Sequence, residues 1–433
     1  MGLIRLKSMA KIAVIGTGYV GLSSGACFAR LGHKVVCVDV VQVKIDNLNK
    51  GILPIVETGL KELVDEGVDA GLLSFTSDVV SAVKDAEVVF LCVPTPEGAD
   101  GSADLSYIQT AARTLSPLLQ SGAVVVNKST VPVGSTKVVE RELKRPDIAV
   151  VSNPEFLREG SAIHDFLHPD RVVVGSDNQE AAVRVAALYE KVGAPVVVTD
   201  PASAETIKYA ANAFLATKIS YINAVAAICE GVGADVNDVV LGLGYDKRIG
   251  HEFLRPGPGW GGSCFPKDTK AMVKIAQDAG YDFGLLKGVI TVNDQQYGRI
   301  VEKIRVAAGG SLKGKKIASW GLTFKALTDD LRDSPAVEIV TRLIASGASV
   351  SVFDPTVTVA PKGLEAITVV TSPIEACADA DVIAVLTEWN EFRWVAPSDA
   401  LAVVRNTQIV DARNLLDRSE WRRAGFEYQG IGR

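Results

Sequence analysis

The chain has 433 residues, more than one hydrophobic core usually organises, so we expect two or three domains. Hydrophobic residues make up 48% of the chain and charged residues 22%, which is typical of a globular protein and excludes long disordered segments. The formal net charge of -6 argues against a nucleic acid polymer or an anionic membrane as a partner.

The cysteines and the start of the chain indicate a cytoplasmic protein. No apolar run approaches the roughly 20 residues that span a bilayer, and the first residues lack the apolar stretch of a secretion signal. We therefore expect a cytoplasmic location, no membrane partner and no metal. The cysteines lack C-x-x-C spacing, which predicts reduced thiols and neither a disulfide framework nor a zinc site: Cys27, Cys37, Cys92, Cys229, Cys264 and Cys377.

The first recognisable element is a βαβ unit, "KIAVIGTGYVGLSSGACFARLGHKVVCVDV". Gly16, Gly18 and Gly21 form G-x-G-x-x-G directly after an apolar strand, and Asp39 ends the next strand. The glycine pattern alone is weak evidence, but this context is the fingerprint of a dinucleotide site. A carboxylate at Asp39 accepts bonds from the adenosine ribose and repels a 2′-phosphate, so we predict NAD as the cofactor, in preference to NADP.

Short β-rich runs separated by helical segments follow, which predicts a mostly parallel sheet covered on both faces. Near Lys315 the pattern restarts, because "KKIASWGLTFK", "ASVSVFDP" and "ADVIAVLTEW" parallel the first strands. This second copy has Gly321 but no G-x-G-x-x-G, so we do not expect it to bind a dinucleotide as the first does. The predicted fold class is α/β, with two Rossmann-like doubly wound domains.

Between the two copies lies a segment with helical periodicity over about 29 residues, from Ala204 to about Val232. Its apolar residues exceed one face, so the helix needs more than one partner. A dimer interface and burial within one subunit both satisfy this requirement. We predict an NAD-binding domain at 1-200, a central helical dimerisation domain at 201-298 and a second Rossmann-like domain at 299-433.

The stretch "GWGGSCFPKD" places Cys264 among glycines and just before a lysine. A lone cysteine is most often a buried structural thiol. Here Gly259, Gly261 and Gly262 would let the backbone approach a ligand, and Lys267 would favour a thiolate. The motif alone leaves both interpretations open.

Six polar stretches together resemble the UDP-glucose/GDP-mannose dehydrogenase family: "CVPTP", "NKSTVPVG", "NPEFLREGSAIHDFLHPDR", "KYAAN", "RIGHEFLRPGPGWGGSCFPKD" and "FKALTDDLRDSP". The resemblance runs from about Lys11 to the end of the chain. It implies that residues 201-298 carry the active site and that residues 299-433 bind the nucleotide sugar. One departure is Trp260, where Phe or Tyr is usual; we expect its ring to remain available to a ligand.

The resemblance implies NAD-dependent, four-electron oxidation of UDP-glucose to UDP-glucuronate. An alternative is the oxidation of another nucleotide sugar, GDP-mannose or a UDP-N-acetylhexosamine. A non-catalytic NAD-binding regulatory protein is a third interpretation, for which we would expect the loss of Cys264, Lys208 or Asp268. All three residues are present.

The resemblance also assigns catalytic roles. Cys264 would attack the intermediate aldehyde to form a thiohemiacetal, which becomes a thioester after the second oxidation. Lys208 and Asn212, four residues apart on a helix, would stabilise charge on the alcohol-derived oxygen, and Asp268 would assist the steps that involve water.

Two glutamates complete the implied catalytic set. Glu155 is favoured over Glu159 as the group that activates the hydrolytic water together with Thr130. Two exposed glutamates on a helical turn would be the alternative without function.

The remaining implied residues bind the two ligands, and no metal is implied. The NAD set adds further positions to the glycines and Asp39: Tyr19, Val20, Lys44, Thr95, Thr130, Glu159, Lys267 and Arg332. The nucleotide-sugar set extends Glu155, Glu159, Lys208 and Asn212 by Phe156, Leu157, Arg158, Arg248, Phe253, Leu254, Arg255, Pro256, Gly257, Gly261 and Lys325. Arg248 is expected to reach the sugar of a neighbouring subunit. With Lys325 and Arg332 in these roles, the second Rossmann-like domain is expected to close over the first.

Overall fold

The computed structural model describes residues 9–98 and 103–433. It divides into two compact units, the first made of Met1–Ala211 with Lys270–Asp278 and the second of Asn212–Thr269 with Ala279–Arg433. Two helices carry the unit boundaries within their own length. The predicted three-domain division stays a prediction.

The first unit is built on a sheet with the strand order β3-β2-β1-β4-β5-β6-β7-β8 within the described residues. Its neighbouring strands are parallel, except that β6 and β7 are antiparallel. The strands are β1 Lys11–Ile15, β2 Lys34–Val38, β3 Leu73–Thr76, β4 Val88–Leu91, β5 Val124–Asn127, β6 Ala149–Ser152, β7 Val172–Gly175 and β8 Val196–Thr199.

Helices cover both faces of this sheet, because its central strands are valine-rich and buried on both sides. One hydrophobic core contains Phe28, Phe90 and Phe166, and a second contains Ile108 and Val125. The helices are α1 Tyr19–Arg30, α2 Gln42–Leu48, α3 Leu60–Asp69, α4 Val79–Val83, α5 Ser106–Leu115, α6 Ser135–Leu143, α7 Ala162–Leu167 and α8 Gln179–Ala187, with a 3-10 helix at Glu190–Val192.

The predicted middle helix is α9, Pro201–Val232, a single helix of 32 residues. By length and composition it is apolar enough to cross a membrane. However, Glu205 accepts bonds from Gly134 and Thr136, and Asn223 accepts one from Gly257, so both ends of α9 bury polar side chains against the protein. We therefore interpret α9 as a core helix, a type that passes the same test.

The second unit contains a parallel sheet with the order β11-β10-β9-β12-β13-β14 in the part of the chain that is described. Its strands are β9 Lys316–Trp320, β10 Ser349–Phe353, β11 Thr368–Val369, β12 Val382–Val385, β13 Gln408–Asp411 and β14 Glu427–Gln429. The remaining helices of the chain are α10 Val236–Gly244, α11 Phe265–Asp278, α12 Gly284–Ala307, α13 Pro335–Ala345, α14 Pro373–Cys377, α15 Pro397–Leu401 and α16 Arg418–Arg423, with a 3-10 helix at Asn390–Trp394.

Numbered within each copy, the first six strands of both sheets follow the order 3-2-1-4-5-6. That is the Rossmann order, in which ligands bind at the carboxyl ends of the strands where the order reverses. The predicted α/β class and the duplication of the Rossmann-like fold are confirmed.

Candidate active site

The glycine turn between β1 and α1 has the form that a dinucleotide requires. A Cβ atom at Gly21 would overlap the carbonyl oxygen of Gly16, so this position needs glycine. At Gly18 no atom lies within 4 Å of where a Cβ would be, which leaves space for a ligand. No side chain caps the start of α1, so its first N–H groups face this space and fit a pyrophosphate.

Asp39 follows β2 and is held as a carboxylate. Its Oδ2 accepts bonds from the Thr17 N–H at 3.1 Å and the Thr17 hydroxyl at 2.7 Å, and its Oδ1 accepts one from the Val41 N–H at 3.0 Å. Burial would raise the pKa of Asp39, but these bonds and the Lys44 ammonium at 3.7 Å hold it below its usual value. Lys44 and Asp39, both assigned to NAD, therefore lie together, and Val40 beside them is exposed.

The Tyr19 hydroxyl donates a hydrogen bond to Glu57, a buried residue that the sequence interpretation missed. Glu57 also accepts bonds from the N–H groups of Gly160 and Ala162, at 2.7 and 2.8 Å. The glycine turn is thus connected to the segment that carries Glu159. No motif in the sequence marks Glu57.

Two threonines assigned to the cofactor lie together beyond the carboxyl ends of β4 and β5. The Thr95 hydroxyl donates to the Thr130 carbonyl at 2.9 Å. The Ser129 hydroxyl donates to the Val93 carbonyl at 2.7 Å. These bonds fix both segments at the edge of the sheet where the Rossmann fold binds ligands.

Glu155 and Lys208, 53 positions apart, form a buried ion pair. The distance from Lys208 Nζ to Glu155 Oε1 is 2.8 Å, and each side chain is 4% exposed. Glu155 Oε2 accepts a bond from the Leu157 N–H at 2.7 Å. Burial would raise the pKa of Glu155, but Lys208 and the Leu157 N–H hold it below its usual value. Glu159 is also buried, so the alternative of two exposed glutamates does not hold.

The neighbours of this pair include other predicted residues. The Phe156 ring centroid lies 5.4 Å from Lys208 Nζ, and the Arg158 guanidinium pairs with Asp165 at 2.6 Å. Leu157 and Val20 pack against the core of the first unit.

Glu205 fixes the first part of α9, the helix that carries Lys208, to the start of α6, and the sequence interpretation missed it. It precedes Lys208 by three residues, so both share one side of α9. Its carboxylate accepts bonds from the Gly134 N–H at 2.6 Å, the Thr136 N–H at 2.9 Å and the Thr136 hydroxyl at 2.7 Å. In the sequence, the only feature that marks Glu205 is that a glutamate stands within an apolar helical pattern.

In the second unit, two predicted residues contact a third, Asp268, which is fully buried. Asn212 Nδ2 donates to Asp268 Oδ2 at 2.6 Å, and Lys267 Nζ contacts Asp268 Oδ1 at 2.6 Å. Because the charge of Lys267 is shared with Asp268, this lysine is a weaker partner for a thiolate than the sequence alone indicates.

Cys264 directly precedes α11, and its carbonyl accepts a bond from the Asp268 N–H at 2.9 Å. Its Sγ lies 3.6 Å from the Ser263 hydroxyl oxygen. The start of a helix favours a thiolate. The other five cysteines are buried, whereas Cys264 is partly exposed. Burial raises the pKa of Cys27, Cys92 and Cys377 to about 12, which makes those thiols unreactive at neutral pH.

Amide side chains fix the loop that leads to Cys264. The Gly257 N–H donates to Asn223 at 2.8 Å, and its carbonyl accepts from Gln296 at 2.8 Å. The Asn293 amide binds both the N–H and the carbonyl of Trp260, at 2.8 and 2.9 Å. Four backbone groups of the loop are therefore held by three side chains, which the sequence interpretation did not identify.

One expectation about this loop is wrong. The Trp260 ring is buried and its Nε1–H donates to Ser220 at 2.8 Å, so it is not available to a ligand. A Cβ at Gly261 would overlap the carbonyl oxygen of Asp333, so packing within the protein already requires glycine here. The contact of Gly261 with the nucleotide sugar stays a prediction.

The other predicted nucleotide-sugar residues lie on loops of the second unit. Phe253 has a left-handed backbone with φ 60°, which is uncommon for a bulky residue, while Leu254 is buried and Arg255 is exposed. Pro256 is half-buried between Arg255 and the fixed Gly257.

Three of the other basic residues assigned to the ligands are partly or fully exposed: Lys325, Arg332 and Arg248. Lys325 Nζ is 5.5 Å from the Phe324 ring centroid, and Arg332 pairs with Asp330 at 2.7 Å. Arg248 is 88% exposed and pairs with Asp246; among the described residues it has no hydrogen bond or ion pair to the Asp268 group.

Within residues 9–98 and 103–433, no group of three or more His, Cys, Asp or Glu side chains is arranged to hold a metal ion.

Comparison with known proteins identifies the family over almost the whole chain. Residues 10–193 match the NAD-binding domain of the UDP-glucose/GDP-mannose dehydrogenase family, residues 202–295 its central domain and residues 318–418 its UDP-binding domain. The predicted NAD cofactor is confirmed.

Individual members of this family match the chain over nearly its full length. The chain is 48% identical to UDP-glucose 6-dehydrogenase of Rhizobium meliloti, covering 98% of this chain and 99% of the relative, and 46% identical to UDP-glucose 6-dehydrogenase TuaD of Bacillus subtilis, covering 98% and 94%. The structure of a UDP-glucose dehydrogenase from Pyrobaculum islandicum matches with a TM-score of 0.90 at 36% identity, covering 100% of both chains. The chain belongs to the UDP-glucose/GDP-mannose dehydrogenase family.

Proposed function

We propose that this protein oxidises UDP-glucose to UDP-glucuronate in two steps, with Cys264 as the covalent nucleophile. The predicted NAD-dependent UDP-glucose 6-dehydrogenase activity is confirmed by the comparisons; the cysteine route is the proposal. The observation that carries it is the environment of Cys264. It is the one cysteine among the six that is not buried, and it begins the helix that presents Asp268 to Asn212 and Lys267.

In the first step, the C6 hydroxyl of the sugar loses its proton to water and C6 loses a hydride, which gives an aldehyde. The glycine turn and Asp39 would hold NAD, which would supply the hydride acceptor for both oxidations. Lys208 donates to the alcohol-derived oxygen, and Asn212, one helical turn later, assists it. Glu155 keeps Lys208 in place before the substrate arrives, because the two side chains form a buried pair at 2.8 Å.

In the second step, the Cys264 thiolate attacks the aldehyde carbon and forms a thiohemiacetal. Loss of hydride from that carbon gives a thioester. Water activated by Glu155, with Thr130 and Asp268 assisting, then hydrolyses the thioester and releases the carboxylate and the thiol. The depressed pKa of Glu155 suits this role, because a base must be ionised at neutral pH.

Other nucleotide sugars remain the alternative substrates. A UDP-D-ManNAc dehydrogenase structure from Pyrococcus horikoshii matches with a TM-score of 0.86 but at 29% identity, lower than the UDP-glucose dehydrogenases. A non-catalytic role is disfavoured, because Lys208 and Asp268 are buried in connected networks and Cys264 is partly exposed.

We further propose that the protein is a homodimer that uses α9. Phe214, Tyr221 and Ile228 succeed one another at seven-residue intervals on α9, and each is more than half exposed. An apolar stripe of this kind on a helix is typical of a subunit interface. Arg248 lies in the same unit and would reach the sugar of the partner subunit.

Light scattering at micromolar concentration should therefore show a dimer. Tyr221→Glu should give a monomer, because it places a charge in the stripe. Val80→Glu, at an exposed valine of α4, is the matched control and should leave the dimer intact. A monomeric wild-type protein with full activity would contradict this proposal.

We also propose a cytoplasmic location without a membrane or nucleic acid partner. None of the six cysteines, all within the described residues, forms a disulfide, as expected in a reducing compartment. The net charge of -6 does not favour polyanions.

The experiment that tests the proposed function is a spectrophotometric assay of nucleotide sugars with NAD. UDP-glucose should be the best substrate and should yield two NADH per sugar. A single NADH per sugar, with release of an aldehyde, would contradict the four-electron reaction. Faster turnover of GDP-mannose or a UDP-N-acetylhexosamine would reassign the substrate.

A further inference from the structure

Lys128, which directly follows β5, is a buried lysine whose neighbours do not neutralise it. It is 4% exposed, and no carboxylate among the described residues lies within ion-pair distance of its Nζ. The ammonium instead donates to the Asn153 side-chain oxygen at 3.1 Å and the Tyr189 hydroxyl at 3.0 Å. The ring centroids of Phe166 and Tyr189 lie 5.7 and 5.4 Å from Nζ. A buried charge with neutral partners is costly, and packing alone does not explain it.

The partners of Lys128 are themselves fixed close to Glu155. Asn153 precedes Glu155 by two residues, and its Nδ2 donates to the Val173 carbonyl at 2.7 Å. The Tyr189 hydroxyl donates to the same Asn153 oxygen at 2.6 Å. The ammonium is therefore held at a set position beside the segment that carries Glu155.

Glu155 thus lies within the electrostatic reach of two cations, and only one of them contacts it. Lys208 forms the ion pair with Glu155 at 2.8 Å, while Lys128 acts on both residues through space. In the proposed reaction Lys208 turns to the substrate oxygen. At that stage Glu155 needs another positive charge to stay ionised in a buried site.

We propose that Lys128 is a positioning residue that keeps Glu155 a carboxylate while Lys208 serves the substrate. This inference rests on the roles of Glu155 and Lys208 in the proposed function. It assigns Lys128 no contact with the substrate.

The titration of Lys128 agrees with this role. Burial lowers the pKa of Lys128 to about 8. The charge of Glu155 raises this pKa and the charge of Lys208 lowers it further. The side chain is therefore charged at neutral pH. Burial raises the pKa of the other titratable groups that face it, which are neutral at this pH: Cys27, Cys92 and Tyr189.

The same shift means that Lys128 destabilises the fold. The folded protein holds this proton less tightly than the unfolded chain, whose reference pKa is 10.5. The loss of folding stability caused by the buried ammonium is therefore fully present below about pH 8 and disappears as the pH rises toward 10.5. Replacing Lys128 with an uncharged residue should raise the thermal stability at pH 7 while lowering activity on the acid side of the pH profile.

The test compares the pH dependence of kcat for UDP-glucose oxidation in four variants. Lys128→Met keeps the length of the side chain and removes its charge, Lys128→Arg keeps the charge, and Tyr189→Phe keeps the charge but removes one hydrogen-bond partner. Lys191→Met is the matched control, because Lys191 of the same unit donates to the Leu31 carbonyl at 2.6 Å and contacts none of these groups.

In Lys128→Met, the acid limb of the kcat profile should move up by about one pH unit, so kcat should fall about tenfold at pH values below the wild-type limb and change little at pH 7. The KM for UDP-glucose should change little, since Lys128 does not touch the sugar. In Lys128→Arg the acid limb should return to its wild-type pH. In Tyr189→Phe and Lys191→Met the acid limb should stay at the wild-type pH. A wild-type limb in Lys128→Met, or an equal displacement in Lys191→Met, would overturn the proposal.

An infrared titration of the carboxyl groups gives a second measurement that does not need turnover. The band lost in Glu155→Gln identifies Glu155, and its protonation should occur at higher pH in Lys128→Met than in the wild type. An unchanged titration would refute the role of Lys128. A wild-type protein that does not oxidise UDP-glucose would refute the proposed function instead, while this titration would still test Lys128.

Discussion

The two Rossmann-like copies carry the same threonine and aspartate pair after their first and second strands, yet use it differently. In the first copy Asp39 accepts bonds from Thr17 beside an open glycine turn, and α1 begins within that turn. In the second copy Asp354 accepts bonds from the N–H and hydroxyl of Thr323, at 3.0 and 2.9 Å. Here the helix α13 begins only at Pro335.

The two carboxylates differ in what surrounds them. Asp354 is 2% exposed, and its Oδ2 also accepts bonds from the Leu322 N–H at 2.8 Å and the Trp389 Nε1–H at 3.1 Å. Asp354 therefore has the buried Trp389 indole as a partner, whereas Asp39 has the Lys44 ammonium and lies next to an exposed valine. One fold thus supplies a cofactor site in the first copy and a structural anchor in the second.

The same substitution in the two copies should separate these roles, and the larger effect is expected at Asp354. Asp354→Asn places an amide among donors and leaves buried groups unpaired, which should cost about 3 kcal/mol of stability. The midpoint of urea unfolding, followed by tryptophan fluorescence, measures this. The preference for NAD over NADP should not change. A variant as stable as the wild type would show that Asp354 is not an anchor.

Asp39→Asn should have the smaller effect on stability and a selective effect on the cofactor. Without the negative charge, the ratio of kcat/KM for NAD to that for NADP should fall on the order of tenfold, because repulsion of the 2′-phosphate is lost. Steady-state kinetics with both cofactors measures the ratio. If Asp39→Asn kept the wild-type ratio, the carboxylate would not select NAD.

The sequence pattern was sufficient for the first turn because its information is local. Gly16, Gly18, Gly21 and Asp39 lie within one βαβ unit, and the observed geometry follows from their spacing. The duplication was visible for the same reason, as strand and turn motifs repeat in order. The second and third glycines are absent after Gly321, which distinguishes the two copies in sequence.

The contacts between distant residues could not be predicted this way. The pairing of Glu155 with Lys208 joins a loop to a helix 53 positions later, and Lys128 reaches Asn153 and Tyr189 across the sheet. The packing of Gly261 against the backbone at Asp333 is a further contact of this kind, because the glycine run of the motif does not show which of its glycines are needed for packing. Such partners depend on tertiary packing, which periodicity and motif spacing do not encode.

The most direct test of the central claim, that Cys264 forms a covalent intermediate, is intact-protein mass spectrometry of Cys264→Ser after incubation with UDP-glucose and NAD. An alkoxide also adds to the aldehyde, but the resulting ester hydrolyses more slowly than a thioester, so a protein carrying the UDP-sugar acyl group should accumulate. Cys264→Ala should form no adduct, and its turnover should fall by orders of magnitude while UDP-glucose still binds. Near-normal turnover of Cys264→Ala, with two NADH per sugar, would contradict the account.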